Sequence, residues 1–302
     1  MFLHYTPLKY RKFRIDIEVV RGCKWNCKFC QICKFYKYKE IHFIQLCRKI
    51  ESVPETDWKH YKLGIVAPDL MNYSHIEEFF DYLNISAVQY IGSFSVSSHS
   101  SSIEKLKCIL SEPTKLIFKN ISVGIEGASE RLRKLVNKPM SNDLFKELLY
   151  IIAEDQKVQS LRLHFIKGLP TEGIPDYYEL IDIFEEVIPL PNDFPLRISF
   201  VQFVPMVGSE WQYMPFTDGD ELYNNIFRRW YKERLMWKKG LILEKSMLGR
   251  GKWVEWMINK GGEEMVEIFR NWTIQYNGPV RTKFYERFKK SLQSLNCCNS
   301  NI

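Results

Sequence analysis

Four cysteines fall within the eleven residues of "CKWNCKFCQIC" (23–33), half of the eight in the chain. Their order is Cys23, three residues, Cys27, two residues, Cys30, two residues, Cys33. In a reducing compartment such a bunch reads as a set of metal ligands and not as disulfides. Thiolates suit zinc or an iron–sulfur cluster. Structural zinc takes four ligands, usually as two pairs across a longer loop, and no second His or Cys pair follows at a suitable distance. A bacterial ferredoxin run has another order, C-x2-C-x2-C-x3-C, and closes on proline. Neither pattern is met.

The rest of the composition is that of an ordinary globular protein. The chain has 302 residues, 45% hydrophobic and 26% charged, enough for one large domain or two small ones. No run approaches the roughly 18 consecutive apolar residues of a membrane span. The start, "MFLHYTPLKYRKFRIDIE", lacks the apolar core and cleavage site of a signal peptide, so a cytoplasmic location without membrane association is expected. Cys47 and Cys108 read as small core residues, and Cys297 and Cys298 sit in a polar tail that cannot complete a second four-thiolate site. The net charge of +7 is uneven: sixteen Lys and Arg against seven Glu between Arg228 and Lys290 give +9, leaving −2 elsewhere. Five of the eight tryptophans, Trp230, Trp237, Trp253, Trp256 and Trp272, lie in the same stretch. Basic residues interleaved with aromatics suit nucleic acid or an acidic partner; a solvated Lys-rich face over packed tryptophans has the same composition.

The elements that must position the cysteines repeat. Short β-like runs at 13–20, 62–67, 88–96, 120–126, 160–166 and 196–204 alternate with helix-like stretches near 38–52, 74–84, 101–111, 129–136 with 142–154, 175–188 and 219–238. Ser74 with Glu77 and Ser101 with Glu104 read as capping boxes. Parallel βαβ units in this number predict an α/β fold, a partial (β/α)6 TIM-like barrel over residues 1–218 with a basic, helical C-terminal extension over 219–302. An eight-stranded barrel or a doubly wound sheet uses the same units. In barrels the chemistry sits past the C-terminal strand ends. Here those positions hold the cysteines, then Pro68 and Asp69, then Ser95, Ser97 and Ser98, then Glu126, Gly168 with Pro170, and Pro205. His164 alternates with Leu163 and Phe165, which turns it toward the barrel interior, although a lone strand histidine is more often a core residue.

Three cysteines spaced C-x3-C-x2-C in the loop after a first strand, with Phe29 before the third, resemble the signature of the radical S-adenosylmethionine (SAM) superfamily. The resemblance implies a [4Fe-4S] cluster on Cys23, Cys27 and Cys30, with one iron left open for the amino and carboxylate groups of SAM. It does not require Cys33, which reads as a bystander, an off-cycle ligand or a reactive thiol. "GIEGASERLRKLVNKPMS" (124–141) looks like the fourth-strand segment of the cobalamin-allied enzymes and methylthiotransferases, which implies that Glu126 contacts SAM and that Arg131 approaches its carboxylate. "LRLHFIKGLPTE" (161–172) resembles the fifth-strand segment that cradles adenine, with Gly168 allowing close approach. "FVQFVPMVGSEWQYMP" (200–215) and "LGRGKWVEWMINKGG" (248–262) resemble later parts of the same group.

The second strand departs from the family by ending in "VAPDLMNY" in place of a Gly-Gly-Glu stretch, so Asp69 becomes a candidate for the SAM amino group, with Ser95 and Ser97 beside it. About twenty residues precede the cysteines, too few for an N-terminal cobalamin-binding domain. Cobalamin would come from the C-terminal third, from a partner, or not at all. Tyr36 and Tyr38 reach substrate or cover the cluster. The expected activity is C–H functionalisation, with methyl transfer to a peptide, protein or nucleic acid as the leading outcome and a flavodoxin- or ferredoxin-type protein as electron donor. Radical oxidation, rearrangement or cross-linking without methyl transfer is the alternative within the class, and a metal-stabilised nucleic-acid-binding protein the alternative outside it.

Overall fold

Four of the six main strands bury alternate residues over most of their length, as one apolar face requires. Ile15 and Ile17, Ile121, Val123 and Ile125, Leu161, Leu163 and Phe165, and Leu196, Ile198 and Phe200 are all buried. The computed structural model describes residues 4–6, 14–236 and 238–244. The chain divides into two units, Met1–Ser246 and Met247–Ile302, and the second lies outside the described residues together with most of the basic, Trp-rich stretch.

Six strands carry the fold: β1 (Arg14–Glu18), β2 (Lys62–Val66), β3 (Tyr90–Ser97), β4 (Ile121–Glu126), β5 (Leu161–Lys167) and β6 (Leu196–Gln202). They pair in chain order, every neighbour parallel. The nine-stranded sheet is completed by His4–Thr6 antiparallel to β1, Ile117–Phe118 beside β3, and Leu241–Leu243 parallel to β6. An order that never reverses has no switch point, which excludes the doubly wound alternative. Its two edges are not paired with each other among the described residues, so the expected partial barrel is the architecture found.

The helices α1 (Phe43–Glu51), α2 (Ile76–Ile85), α3 (Ser100–Ser111), α4 (Glu130–Leu135), α5 (Asn142–Glu154) and α6 (Ile174–Val187) follow successive strands. They cover the apolar face, with Phe80 of α2 against Phe94 of β3, Phe145 of α5 against Phe165 of β5, and Tyr177 of α6 against Phe200 of β6. The other face is polar and carries Arg14, Asp16, Ser122, Arg162, His164 and Ser199. After β6, an unbroken helical run over 220–235, part α and part π in its hydrogen bonding, falls where the sequence predicts a helix near 219–238; it brings Phe227 against Phe200 and Trp230 against Phe184, and the Trp230 indole donates to Glu185 (2.7 Å).

Several local expectations are corrected. Residues 38–42 are not helical: Lys39–Glu40 pairs with Val20–Arg21, and α1 starts at Phe43. Ser74 caps nothing, because its hydroxyl and N–H both turn to Glu40. Ser101 lies inside α3, whose first flanking residue is His99. The serine caps that form are Ser129 on α4 and Ser141 on α5, each accepting from the N–H three residues on. Cys108 is exposed and Cys47 half-buried, so neither is a core residue.

Candidate cluster and cofactor site at the strand ends

The cysteine loop follows β1 and is clamped from both sides. Its Lys28 N–H donates to Val136 at the end of α4 (3.2 Å), and its Lys28 carbonyl accepts from Trp211 beyond β6 (3.0 Å). The Asn137 side chain donates to the Asn26 carbonyl (2.9 Å), and Phe29 packs against the core. Cys27 is buried, while Cys23 and Cys30 are half-buried. Burial pushes all three thiols up, Cys27 to about 12; Cys30 raises Cys23, Cys23 and Cys30 raise Cys27, and Cys33 raises Cys30. Among the described residues no three His, Cys, Asp or Glu side chains converge as metal donors, so the thiols share one neighbourhood without being drawn together. Three thiols in one clamped loop, beside a buried cation, are a donor set that fits a three-thiolate cluster, and ligation reverses the burial penalty by displacing the protons. Cys33 lies beside the loop, its thiol 3.5 Å from the Asn26 side-chain oxygen and 4.0 Å from the Cys30 carbonyl.

The cation is Lys138, and no sequence motif announced it. It is 8% exposed, and its ammonium donates to the Gly124 carbonyl (3.0 Å) and to Glu126 (2.9 Å). Burial acts against the charged form, yet Glu126 and then Cys27 hold its pKa above the usual lysine value. Lys138 in turn lowers the pKa of Cys23, Cys27 and Cys30. Glu126 reaches this position through backbone strain. Its φ is 66°, in the left-handed region that a non-glycine residue avoids, at a register shift where β4 leaves β5.

Asp69, past the end of β2, is 2% exposed. Its carboxylate accepts from the Trp25 indole (2.6 Å), the Ser102 hydroxyl (2.7 Å), the Asn72 amide (3.0 Å), and the N–H groups of Ser97 (3.2 Å) and Met71 (3.3 Å). A carboxylate offers about four lone-pair sites, so these five donors occupy it and tie the cysteine loop to the exits of β2 and β3. At the exit of β3, Ser95 is half-buried, and the buried Ser97 and Ser98 hydroxyls have no hydrogen-bond partner. The Nε2 of His99 is likewise buried without a partner. The His99 ring stacks on Trp25 at 3.7 Å between centroids and 14° between planes. Burial, reinforced by Lys138 and opposed by Asp69, pushes the imidazole pKa down to about 4, so it is neutral at pH 7.

The remaining expected residues separate from this group. Arg131 gives its guanidinium to Asp176 (2.7 and 3.2 Å) and to the Thr171 side chain and carbonyl (2.9 Å each), bracing the loop after β5. Gly168 has φ 75°, and a Cβ there would lie 2.4 Å from the Thr217 carbonyl, so the close approach is to the chain's own 217–219 segment. His164 is half-buried on the polar face, and burial lowers its pKa. The single Tyr38 hydroxyl proton is shared between the Glu40 carboxylate and the Asn72 carbonyl, the latter at 2.7 Å, whereas Tyr36 is exposed. Lys138, His99 and Trp25 are the residues that sequence reasoning missed. The lysine's only signal was its place past the β4 segment, and the other two are ordinary types whose partners lie tens of residues away.

The model of the Radical SAM superfamily matches residues 17–183, from β1 into α6 and more than half of the chain. Uncharacterized protein MJ0966 of Methanocaldococcus jannaschii is 25% identical over 175 residues, 57% of this chain and 36% of that protein. Ribosomal protein uS12 methylthiotransferase RimO of Thermotoga petrophila is 25% identical over 198 residues, 60% of this chain and 45% of that protein. The chain thus spans less than half the length of these curated relatives. The crystal structure of a radical SAM methyltransferase from Sphaerobacter thermophilus superposes with a TM-score of 0.52 at 12% identity, over 83% of this chain and 70% of that one, which shows a shared fold. The strand order, the cysteine loop past β1 and the matched segment lead to one assignment: the chain belongs to the radical SAM superfamily, whose members use a [4Fe-4S] cluster and SAM.

Proposed function

We propose that this radical SAM enzyme functionalises an unactivated C–H bond by methyl transfer to a peptide, protein or nucleic-acid substrate. The observation that carries the enzymatic reading is the clamped loop of Cys23, Cys27 and Cys30 beside the buried Lys138–Glu126 pair, at the strand ends of a family-matched sheet. Cys23, Cys27 and Cys30 would hold the cluster. When bound, the cluster supplies the single electron that cleaves SAM to methionine and a 5′-deoxyadenosyl radical. Lys138 offsets the negative charge gathered on three thiolates, and Glu126 is aimed at the same space by its bulge. Trp25, held by Asp69, walls the loop from the side of β2 and helps to exclude water.

Methyl transfer is favoured over oxidation, rearrangement or cross-linking by the likeness of the 124–141 and 200–215 segments to cobalamin-allied enzymes and by the methylthiotransferase among the relatives. A flavodoxin- or ferredoxin-type donor, cobalamin as a further cofactor and a cytoplasmic location accompany this reading. No helix among the described residues is long and apolar enough to cross a membrane. Anaerobically reconstituted protein given SAM and a low-potential reductant is expected to release 5′-deoxyadenosine, and methyl-labelled SAM to pass label to substrate. Absence of the nucleoside from fully loaded protein overturns the reading; nucleoside without label or corrinoid spectrum replaces methyl transfer by the second outcome.

A further inference from the structure

The stretch from Arg21 to Lys39, which carries the cysteine loop, holds six Lys and Arg and no Asp or Glu. Three of these cations are matched from outside the stretch: Arg21 by Glu18 (2.5 Å), Lys28 by Glu210 (3.5 Å) and Lys24 by Glu40 (3.7 Å). Lys34, Lys37 and Lys39 are exposed and form no ion pair among the described residues. Tyr38 turns inward, its hydroxyl on the Asn72 carbonyl, so the alternation of an extended chain turns Lys37 and Lys39 outward. Three unmatched positive charges thus stand within a few residues of the loop's thiols.

The same surface is also apolar. Phe35 is 58%, Tyr36 54% and Val207 48% exposed. A Cβ at Gly208, whose φ is 81°, would lie 2.7 Å from the Phe35 ring, so the glycine lets that ring rest on the turn after β6. Tyr36 follows Phe35 and Val207 precedes Gly208, which gathers three large exposed side chains beside the lysines. Contiguous exposed apolar side chains rimmed by charge mark a surface that another molecule covers.

Charge, size and place narrow what covers it. Unmatched lysines attract an acidic partner and speed its arrival. Brief electron-transfer encounters use the smallest interfaces, below about 1,200 Å² in total, and a patch of a few side chains is of that kind. Nucleic acid also answers to lysines and aromatics, but its phosphates are matched best by arginine forks. Arg21, the one arginine here, is spent on Glu18. An electron, unlike a substrate, has no need to enter the space at the strand ends; a surface a few residues from the thiols is enough.

We propose that Lys34, Lys37 and Lys39, around Phe35, Tyr36 and Val207, form the docking surface for an acidic flavodoxin-type protein. The apolar centre suits the exposed apolar edge of a flavin, and the lysines suit carboxylates around it. This surface serves the radical SAM reaction proposed above and rests on that reading; it adds where the electron enters. One electron leaves the partner's reduced flavin, which is oxidised by one equivalent, and the cluster is reduced by one. No bond is made or broken.

The test is the stopped-flow rate at which a photoreduced flavodoxin bleaches the cluster of the anaerobically reconstituted full chain, at low and at high salt. Electrostatic steering changes association rates by about 10- to 1,000-fold and is screened by salt. Lys34→Glu/Lys37→Glu/Lys39→Glu is expected to slow the low-salt rate roughly tenfold or more, and the difference to close at high salt. Its extent of reduction by dithionite, a small reductant that needs no docking, is expected to equal that of the wild type. Lys232→Glu/Lys238→Glu/Lys239→Glu makes the same change in net charge at exposed positions of the C-terminal basic stretch and is expected to keep the wild-type rate within about twofold. Equal slowing of both variants overturns the surface. A flavodoxin rate that stays unaltered, while reduction by a ferredoxin or binding of RNA weakens, hands the surface to that partner and overturns the assignment. Where the reversals cost the protein its cluster, Lys34→Gln/Lys37→Gln/Lys39→Gln decides by the same comparison, with a smaller fall in the same direction. Loaded wild-type protein that dithionite reduces without release of 5′-deoxyadenosine from SAM overturns the enzymatic reading, whereas an unaltered flavodoxin rate overturns the surface alone.

Discussion

Lys138 and Glu126 form an ion pair taken almost wholly out of water, with side-chain exposures of 10% and 13%. Replacing one member of such a pair leaves the other charge buried and unmatched, which costs about 3–5 kcal/mol, while replacing both can be close to neutral. Lys138→Met is therefore expected to lower the unfolding free energy of the cluster-free protein by about that amount, and Lys138→Met/Glu126→Gln to recover much of the loss. Urea denaturation of the four proteins of the cycle measures the coupling directly. A coupling near zero would mean that the pair is solvated after all. The same lysine lowers the pKa of three thiols that burial raises, so its loss also weakens cluster incorporation, read as iron bound per chain. A residue that charges a cluster site need not belong to the ligand motif, and this one lies over a hundred positions from it.

At the scale of elements, Asp69 joins four pieces of chain: the cysteine loop through Trp25, its own turn through Met71 and Asn72, the exit of β3 through Ser97, and α3 through Ser102. Asp69→Ala strands five donors, two of which, the Ser97 N–H and the Ser102 hydroxyl, are buried on other elements, and an unsatisfied buried group costs about 1–3 kcal/mol. A loss of about 3 kcal/mol or more is expected in urea, together with a change in tryptophan emission as Trp25 loses its anchor; unchanged emission with full stability would remove Asp69 from this role. Such an arrangement was half legible. The alternation of Ile15–Ile17, Ile121–Val123–Ile125 and Leu161–Leu163–Phe165 displayed the strands within a residue or two, because burial on one face imposes a period of two. The placement of reactive residues past strand ends followed from the same rule. The capping boxes failed because Ser74 met Glu40, a partner 34 residues away. Arg131 kept its chemistry but was claimed by Asp176 across the β5–α6 loop. Local pattern reveals what a segment can do; which of several partners it takes is decided by segments that sequence spacing does not bring together.

For the molecule as a whole, stability should carry an unusual dependence on pH. Most acidic groups in a folded protein ionise more easily than in the unfolded chain, so stability rises as pH leaves the acid range. Glu172, in the loop between β5 and α6, does the opposite. Burial pushes its carboxyl up from 4.5 to about 7, although the Gly168 N–H donates to Oε2 (2.5 Å), and its other oxygen lacks a hydrogen-bond partner. The hydroxyl of Tyr177 lies near it outside hydrogen-bond geometry, with Asp176 raising and Lys167 lowering its pKa. Between pH 4.5 and about 7 the folded protein binds this proton and the unfolded chain does not. The stabilisation is complete below the unfolded value and is lost as pH rises through the folded one, by up to about 3 kcal/mol. Glu172→Gln keeps an oxygen to accept from Gly168 and carries no charge at any pH. The variant is expected to gain stability over the wild type as pH rises from 5 to 8 in thermal or urea unfolding, with little difference at pH 5. Parallel pH profiles for the two proteins would show that Glu172 ionises normally. A gain at pH 8 would mean instead that the turn bracing α6, and with it Asp176 and Arg131 beside the site, is held more firmly by a neutral carboxyl than by a charged one.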